Sequence, residues 1–346
     1  MLRSPCVNIE MTFNKFDKKI LAVHMQWDYC IPARGPSLEK LWFYDNLKLL
    51  VREAEVFYYD EYIKDLPRLK ELLIAKAEEV NPDLIFFVPY TDQFSSETLD
   101  SLKSKWPTCA WFGDDTWRFE SFSSKLAPHF THVCTTDIFS VGKYRKLGLE
   151  PIVTQWAAQP GPMAGATAPE KYRYEVSFVG GRAPAREWLI NRLAKQGIQV
   201  HCFGAGWPAG RVSFEEMDEI FHNSRINLNL SNSVSRDIRC VLSGPRSFVR
   251  YLRSNKAAEQ IKARNFEIHC AGGFQLTNYV AGIERYLRIG EEAAVFTSPE
   301  DCAAQIKYYL SNEAERAAIM AAGRERALRE HTYLNRLEQI LGKIWG

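Results

Sequence analysis

Short apolar, β-rich runs alternate with stretches of helical spacing along most of this chain, and no other feature limits its fold so tightly. In the first half the runs are ILAVHM (20–25), VFYYD (56–60), LIFFVP (84–89), TCAWFGD (108–114) and HVCTTD (132–137). Residues 37–55, 67–80, 95–105 and 138–147 between them carry apolar side chains three and four apart. Such alternation buries both kinds of segment when helices cover a parallel sheet through right-handed crossovers. A second series follows: YEVSFVG (174–180), IQVHCFG (198–204), RINLNLS (225–231), FQLTNY (274–279) and AAVF (293–296). Ser298, Pro299, Glu300 and Asp301 combine a capping hydroxyl, a proline suited to the first turn and acids over the positive end of the dipole. They predict a helix to Leu310, and the sequence after Glu313 reads as nearly continuous helix, broken near His331 and Thr332.

At 346 residues the chain exceeds one comfortable core, which predicts two domains. Between the two series, QPGPMAGATAPEK is rich in Pro, Gly and Ala and reads as a linker. The expected organisation is an N-terminal extension (1–19), a first Rossmann-like domain (20–156), a linker (157–172), a second Rossmann-like domain (173–331) and a terminal helix (332–346). Open α/β sheets bind ligands beyond the carboxyl ends of their strands, so function belongs at strand ends.

A formal charge of +2 implies no polyanion partner, so nucleic acid is not indicated. Eight cysteines, at 6, 30, 109, 134, 202, 240, 270 and 302, have no close pair, which fits reduced thiols better than disulfides or a zinc site. No apolar run is as long as a membrane span, and MLRSPCVNIEMTFNKFDKK lacks a secretory core, so a cytoplasmic protein is expected.

The richest local signal is SNKAAEQIKARNFEIHCAGG (254–273), where Glu259 and Glu267 stand eight positions apart before paired glycines. A carboxylate accepts hydrogen bonds from two vicinal hydroxyls at once, so Glu267 suits a ribose clamp. Gly272 and Gly273 would let backbone N–H groups approach phosphate or sugar oxygens, with Lys262 and Arg264 supplying positive charge. Alternatively, FEIHCA is an apolar helix face with a glycine cap. In the first half, Asp114 and Asp115 end a strand run, where they can orient or deprotonate an acceptor hydroxyl or simply serve as cap and turn residues. Gly35 and the N-cap candidate Ser37 form either an acceptor-side lip or a plain βα connection.

FVGGRAPAREWLINRLAKQGIQVHCFGAGW, SFEEMDEIFHNSRINLNLS, KARNFEIHCAGGFQLTNY, EEAAVFTSPEDCAAQIKYYL and AAGRERALREHTYLNRLEQIL, in this order and spacing, resemble the GT-B glycosyltransferases of the spore-maturation CgeB-like group. These are relatives of the large retaining GT-B transferases. The first half resembles them more loosely through DYCIPARGPSLEKLW, WFGDD and HVCTTDIFSVGKYRKLG. The resemblance implies an α/β fold of GT-B type, with two Rossmann-like domains facing across a cleft and a C-terminal helix crossing back to the first. It implies transfer of a sugar from a nucleoside-diphosphate sugar to an unknown acceptor, with retention, and with neither metal nor separate cofactor.

By this likeness Glu259 meets the donor sugar or its phosphates and Glu267 the ribose. Gly272, Gly273 and Phe274 lie beside the donor, Gly180, Gly181 and Arg182 at the diphosphate, and Gly204 and Gly206 at the base. The family's usual lysine after Arg182 is replaced by Ala185 and Arg186. With Asp114, Asp115 and Arg264, these residues form the expected site. A sugar-nucleotide epimerase of the same fold and a non-catalytic nucleotide-sugar-binding module are the competing readings.

Residues 232–255, NSVSRDIRCVLSGPRSFVRYLRSN, are an insertion relative to the family, with arginines 236, 239, 246, 250 and 253 against one acid, Asp237. The insertion either contacts an anionic acceptor, a membrane surface or the donor diphosphate, or forms a solvated hairpin whose Phe248, Val249 and Leu252 pack inward.

Overall fold

The computed structural model describes residues 16–231, 233–256 and 258–346. Cys6, most of the expected extension 1–19 and Asn232 of the insertion lie outside them. Strands β1 (Phe16–His24), β2 (Val51–Tyr58), β3 (Leu84–Phe87), β4 (Thr108–Phe112), β5 (His132–Thr135) and β6 (Ile152–Val153) form one sheet, in the order β2-β1-β3-β4-β5-β6. Strands β7 (Tyr174–Val179), β8 (His201–Phe203), β9 (Ser224–Asn229), β10 (Gln275–Asn278) and β11 (Ala294–Phe296) form the other, ordered β11-β10-β9-β7-β8. The paired strands run parallel, as the alternation requires.

In the first series the helices are α1 (Asp45–Leu50), α2 (Leu66–Val80), α3 (Ser96–Lys105), α4 (Asp115–Arg118), α5 (Ser124–Leu126) and α6 (Val141–Lys146). The second has α7 (Pro184–Ala194), α8 (Phe214–His222), α9 (Ile238–Val241), α10 (Pro245–Arg253), α11 (Arg264–Cys270), α12 (Pro299–Ser311), α13 (Glu313–Glu330) and α14 (Tyr333–Trp345). Their starts follow from local chemistry. Ser95 accepts from the Thr98 amide, Ser213 and Glu216 close a reciprocal capping box, and Ser298 accepts from the Asp301 amide.

Where the expected segment boundaries fail, the reason is local. The helical stretch expected over 37–55 ends at Leu50, because Val51–Tyr58 pairs along β1. Arg52, Glu53 and Glu55 resemble a helix face in sequence, yet β2 is an edge strand, where charged side chains reach water. β6 has two residues, too few to leave a periodic trace.

The chain separates into two compact units. One comprises the described part of Met1–Trp111 with His129–His132 and Leu337–Gly346; the other comprises Phe112–Pro128 and Val133–Arg336. In the first, Ile20–Val23 of β1 and Leu84–Phe87 of β3 are completely buried. The near-continuous apolar run is what a strand covered on both faces needs. In the second unit, Val176, Phe178, Ile226, Leu228 and Leu276 of the sheet pack with Ile306 of α12.

Candidate functional site

The second sheet reverses direction at β7, with β8 on one side and β9 on the other. The carboxyl ends of β7 and β9 therefore flank a topological switch point, where α/β sheets open a crevice. Arg186, Leu230, Glu259 and Asn278 line a cavity there. The Ser231 hydroxyl donates to a Glu259 carboxylate oxygen at 2.6 Å and receives the Asn278 amide at 3.0 Å, so a strand-end network orients the glutamate. Arg186 reaches back from the first turn of α7 to the carbonyls of Gly181 and Leu230, at 2.9 and 2.8 Å. Its pKa is pushed down to about 10, by burial and then by the Arg264 charge, against the opposing pull of Glu259.

Beside this cavity the segment before α11 meets the end of β4. Lys262 Nζ lies 2.5 Å from Asp114 Oδ1, and Gln260 donates to the Gly113 carbonyl, as does the Trp156 indole at 3.0 Å. Burial raises the Asp114 pKa, but the Lys262 charge and hydrogen bond outweigh it and hold the carboxyl below its ordinary value. Lys256, over the Trp117 ring at 5.0 Å, is shifted the other way: burial lowers its pKa, and the charge of Lys262 lowers it further. Arginine and lysine side chains thus crowd one region around two carboxylates, an arrangement suited to a multiply charged anion.

Several expected site residues are used differently. Asp115 is fully buried rather than at an open strand end, and its Oδ2 accepts from Thr135 at 2.6 Å and Tyr144 at 2.8 Å. Glu267 is nearly buried and paired with Arg264 at 3.0 Å, while burial raises its pKa against that pairing. The N–H groups of Gly272 and Gly273 are not open to a ligand. They donate to His269 and Ile268 carbonyls at 2.9 and 2.8 Å, closing the end of α11. Phe274 is a core side chain, its ring 4.8 Å from that of Tyr309.

Gly180, Gly181, Arg182, Gly204 and Gly206 lie in the loops after β7 and β8, which hydrogen-bond to each other. Gly180 N–H donates to Phe203 and Arg182 N–H to Ala205, both at 2.8 Å. Gly204, at φ +124°, has no room for a side chain, since a Cβ would lie 2.5 Å from the Gly180 carbonyl oxygen. Arg182 is exposed, paired with Glu187, and stacks at 5.6 Å over Trp207. In the other unit, Gly35 adopts φ +86° in the loop after β1. Ser37 is buried, donates to the Met25 carbonyl at 2.6 Å and accepts from the Lys40 amide at 3.1 Å, as a helix cap does.

The sequence reading did not single out Lys256, Ser231 or Asn278, and treated Arg186 as a substitute for a missing lysine. Only Arg186 carried a signal, as a basic residue one turn into a helix that follows a glycine pair.

Residues 182–342 match the family model for glycosyl transferase-like domains. The two parallel sheets have the GT-B architecture, and residues 182–342 carry a glycosyl transferase-like domain. Among solved structures, sucrose-phosphate synthase of Thermosynechococcus elongatus is similar at TM-score 0.62 and 11% identity, over 95% of this chain and 99% of that one. HepE of Anabaena, solved in complex with UDP and glucose, is similar at TM-score 0.60 and 13% identity, over 94% and 99% of the two chains. A glycosyltransferase of Rickettsia africae is similar at 0.62 and 11%, over 96% and 98%. No curated protein matches the chain.

Proposed function

We propose that this enzyme moves a glycosyl group from a nucleoside-diphosphate sugar, with uridine as the base, to an acceptor hydroxyl. The observation that carries this reading is Arg186 beside Glu259 in the cavity at the switch point of the second sheet, within reach of the Arg264 charge, with Lys262 held nearby by Asp114. HepE, with the same fold, was solved with UDP-glucose and with UDP. Residues 173–331 would hold the donor, 20–156 the acceptor and 157–172 the linker, with 332–346 crossing back to the first domain. The closer kinship is with the CgeB-like group, and the compartment is the cytoplasm.

In the reaction the bond between C1 and the phosphate oxygen breaks, and its electron pair leaves with the diphosphate through an oxocarbenium-like state. The acceptor oxygen bonds C1 on the face the diphosphate left, giving retention, and its proton passes to the departing phosphate. Lys262, Arg264 and Arg186 offset the charge that develops on the leaving group, so a metal is not required. Glu259 contacts the sugar, and Asp114 acts as a positioning residue that holds the Lys262 ammonium. Glu267 contributes by fixing Arg264.

A thermal-shift series with UDP, UDP-sugars and the other nucleoside diphosphates tests the donor assignment, because a ligand that binds only the folded state raises the midpoint. UDP compounds should stabilise the native protein and should do so much less in Lys262→Ala. Equal shifts in both proteins, or none with any nucleotide, would sink the assignment. Donor consumption without acceptor would point instead to the epimerase reading.

A further inference from the structure

The basic insertion departs from the expected inward-packed hairpin: Phe248, Val249 and Leu252 are 46%, 44% and 64% exposed, and α10 has no buried residue. At about 100° per residue, Tyr251, Phe248, Leu252 and Val249 share one arc of this helix, while Arg246, Arg250 and Arg253 share the opposite arc. Ile238 and Leu242, at α9 and just after it, are exposed by 63% and 71% and extend the apolar surface. Arg246, Arg250 and Arg253 line a cavity of about 730 Å³ together with Lys256, and no carboxylate is among the described residues that line it.

We propose that α9 and α10 dock the protein on an anionic lipid surface, with the apolar arc entering the acyl boundary and lipid phosphates meeting the arginines. Leaving four large apolar side chains in water-facing positions on one short helix is unfavourable unless something covers them, and a contiguous apolar patch of this kind marks an interaction surface. The occupant follows from charge. A helix with arginine on its polar face, aromatic and aliphatic residues on the other and low overall hydrophobicity has the composition of an interfacial helix. Arg239 is paired with Asp237 and Glu300, and the other four arginines of the segment complement a lipid surface rich in phosphate and select it over a neutral one. The long arginine side chains reach phosphates while their stems stay along the apolar boundary. This inference does not depend on which donor the enzyme uses.

Co-sedimentation of the full chain with phosphatidylglycerol vesicles and with phosphatidylcholine vesicles tests it. Binding is expected to the anionic vesicles only, and to weaken at high salt. Substituting Arg246→Gln, Arg250→Gln and Arg253→Gln together should lower the partition coefficient on the order of a hundredfold. Phe248→Ser with Leu252→Ser should abolish binding even at low salt. Thermal midpoints of both variants should stay near the native value, since the substituted side chains are not core. Equal binding to both vesicle types, no binding to either, or binding unchanged in the variants would overturn the proposal. So would a dimer in sedimentation velocity that Phe248→Ser with Leu252→Ser dissociates, or affinity for inorganic pyrophosphate without vesicle binding.

Discussion

Asp114 and Asp115 are neighbours in sequence with opposite environments. Lys262, 148 positions away, holds Asp114 ionised, whereas Asp115 is surrounded by core, and burial raises its pKa from 3.8 to about 6 against the hydroxyl bonds that lower it. The folded state therefore keeps a proton that the unfolded chain has already released. The stability this group contributes is complete below pH 4 and is lost as pH rises through 6, amounting to about 3 kcal/mol. An asparagine carbonyl can accept the same hydroxyl donors without ionising. Asp115→Asn should accordingly differ little from the native protein in thermal midpoint at pH 4 and exceed it at pH 7.5; an advantage that does not grow with pH would refute the assignment. The two glutamates eight apart were visible in the sequence because the motif is local. The network around Glu259 was not, since Ser231 and Asn278 reach it through the fold, as Asp114 reaches Lys262.

Helix α11 shows how an element carries the site without lending it every residue. It starts two positions after Lys262, presents Arg264 and Glu267 on one side, and ends where Gly272, at φ +72°, turns the chain into β10. The glycine pair read as a phosphate cradle is, in the folded protein, the cap and a close-packing point. A Cβ on Gly273 would lie 2.8 Å from the Phe221 carbonyl oxygen and 2.6 Å from Asn227 Nδ2, a side chain itself bonded to the Phe221 carbonyl. Backbone at that distance cannot step aside cheaply. Gly273→Ala should cost about 1–3 kcal/mol in urea unfolding, as overpacking does, whereas an alanine at Gly142, with open space around it, should cost much less. Equal losses at the two positions would remove the packing argument. Glycine pairs look alike in sequence whether they bind a ligand or end a helix, because both uses need a missing side chain.

At the scale of the whole chain, alternation was enough to foresee two parallel sheets, because each run had to bury both its faces. The strand order was not legible: which strand lies beside β1 depends on crossover packing, and β6 is too short to show a period. The same burial that builds the sheets also sets the protonation of the histidines. His24 ends β1, while His269 and His331 belong to the other unit. Burial lowers His24 from 6.5 to about 4, partly countered by the Met25 carbonyl, and lowers His269 to about 3; burial and then Arg336 lower His331 to about 4. For a group whose folded pKa is depressed, stability is complete above the unfolded value of 6.5 and is lost as pH falls toward the folded one. Over that range His24 and His331 are each worth about 3 kcal/mol and His269 about 5 kcal/mol. Buried acids such as Asp115 and Glu39, with raised values, change stability in the opposite sense, so a bulk acid titration would mix the two. Histidine ring resonances separate them. In a protein with seven histidines, assigned by single His→Gln variants, those of His24, His269 and His331 should stay at their neutral positions from pH 8 down to about 5. A midpoint near 6.5 for any of the three would mean that water reaches that ring and that the core around it is not closed.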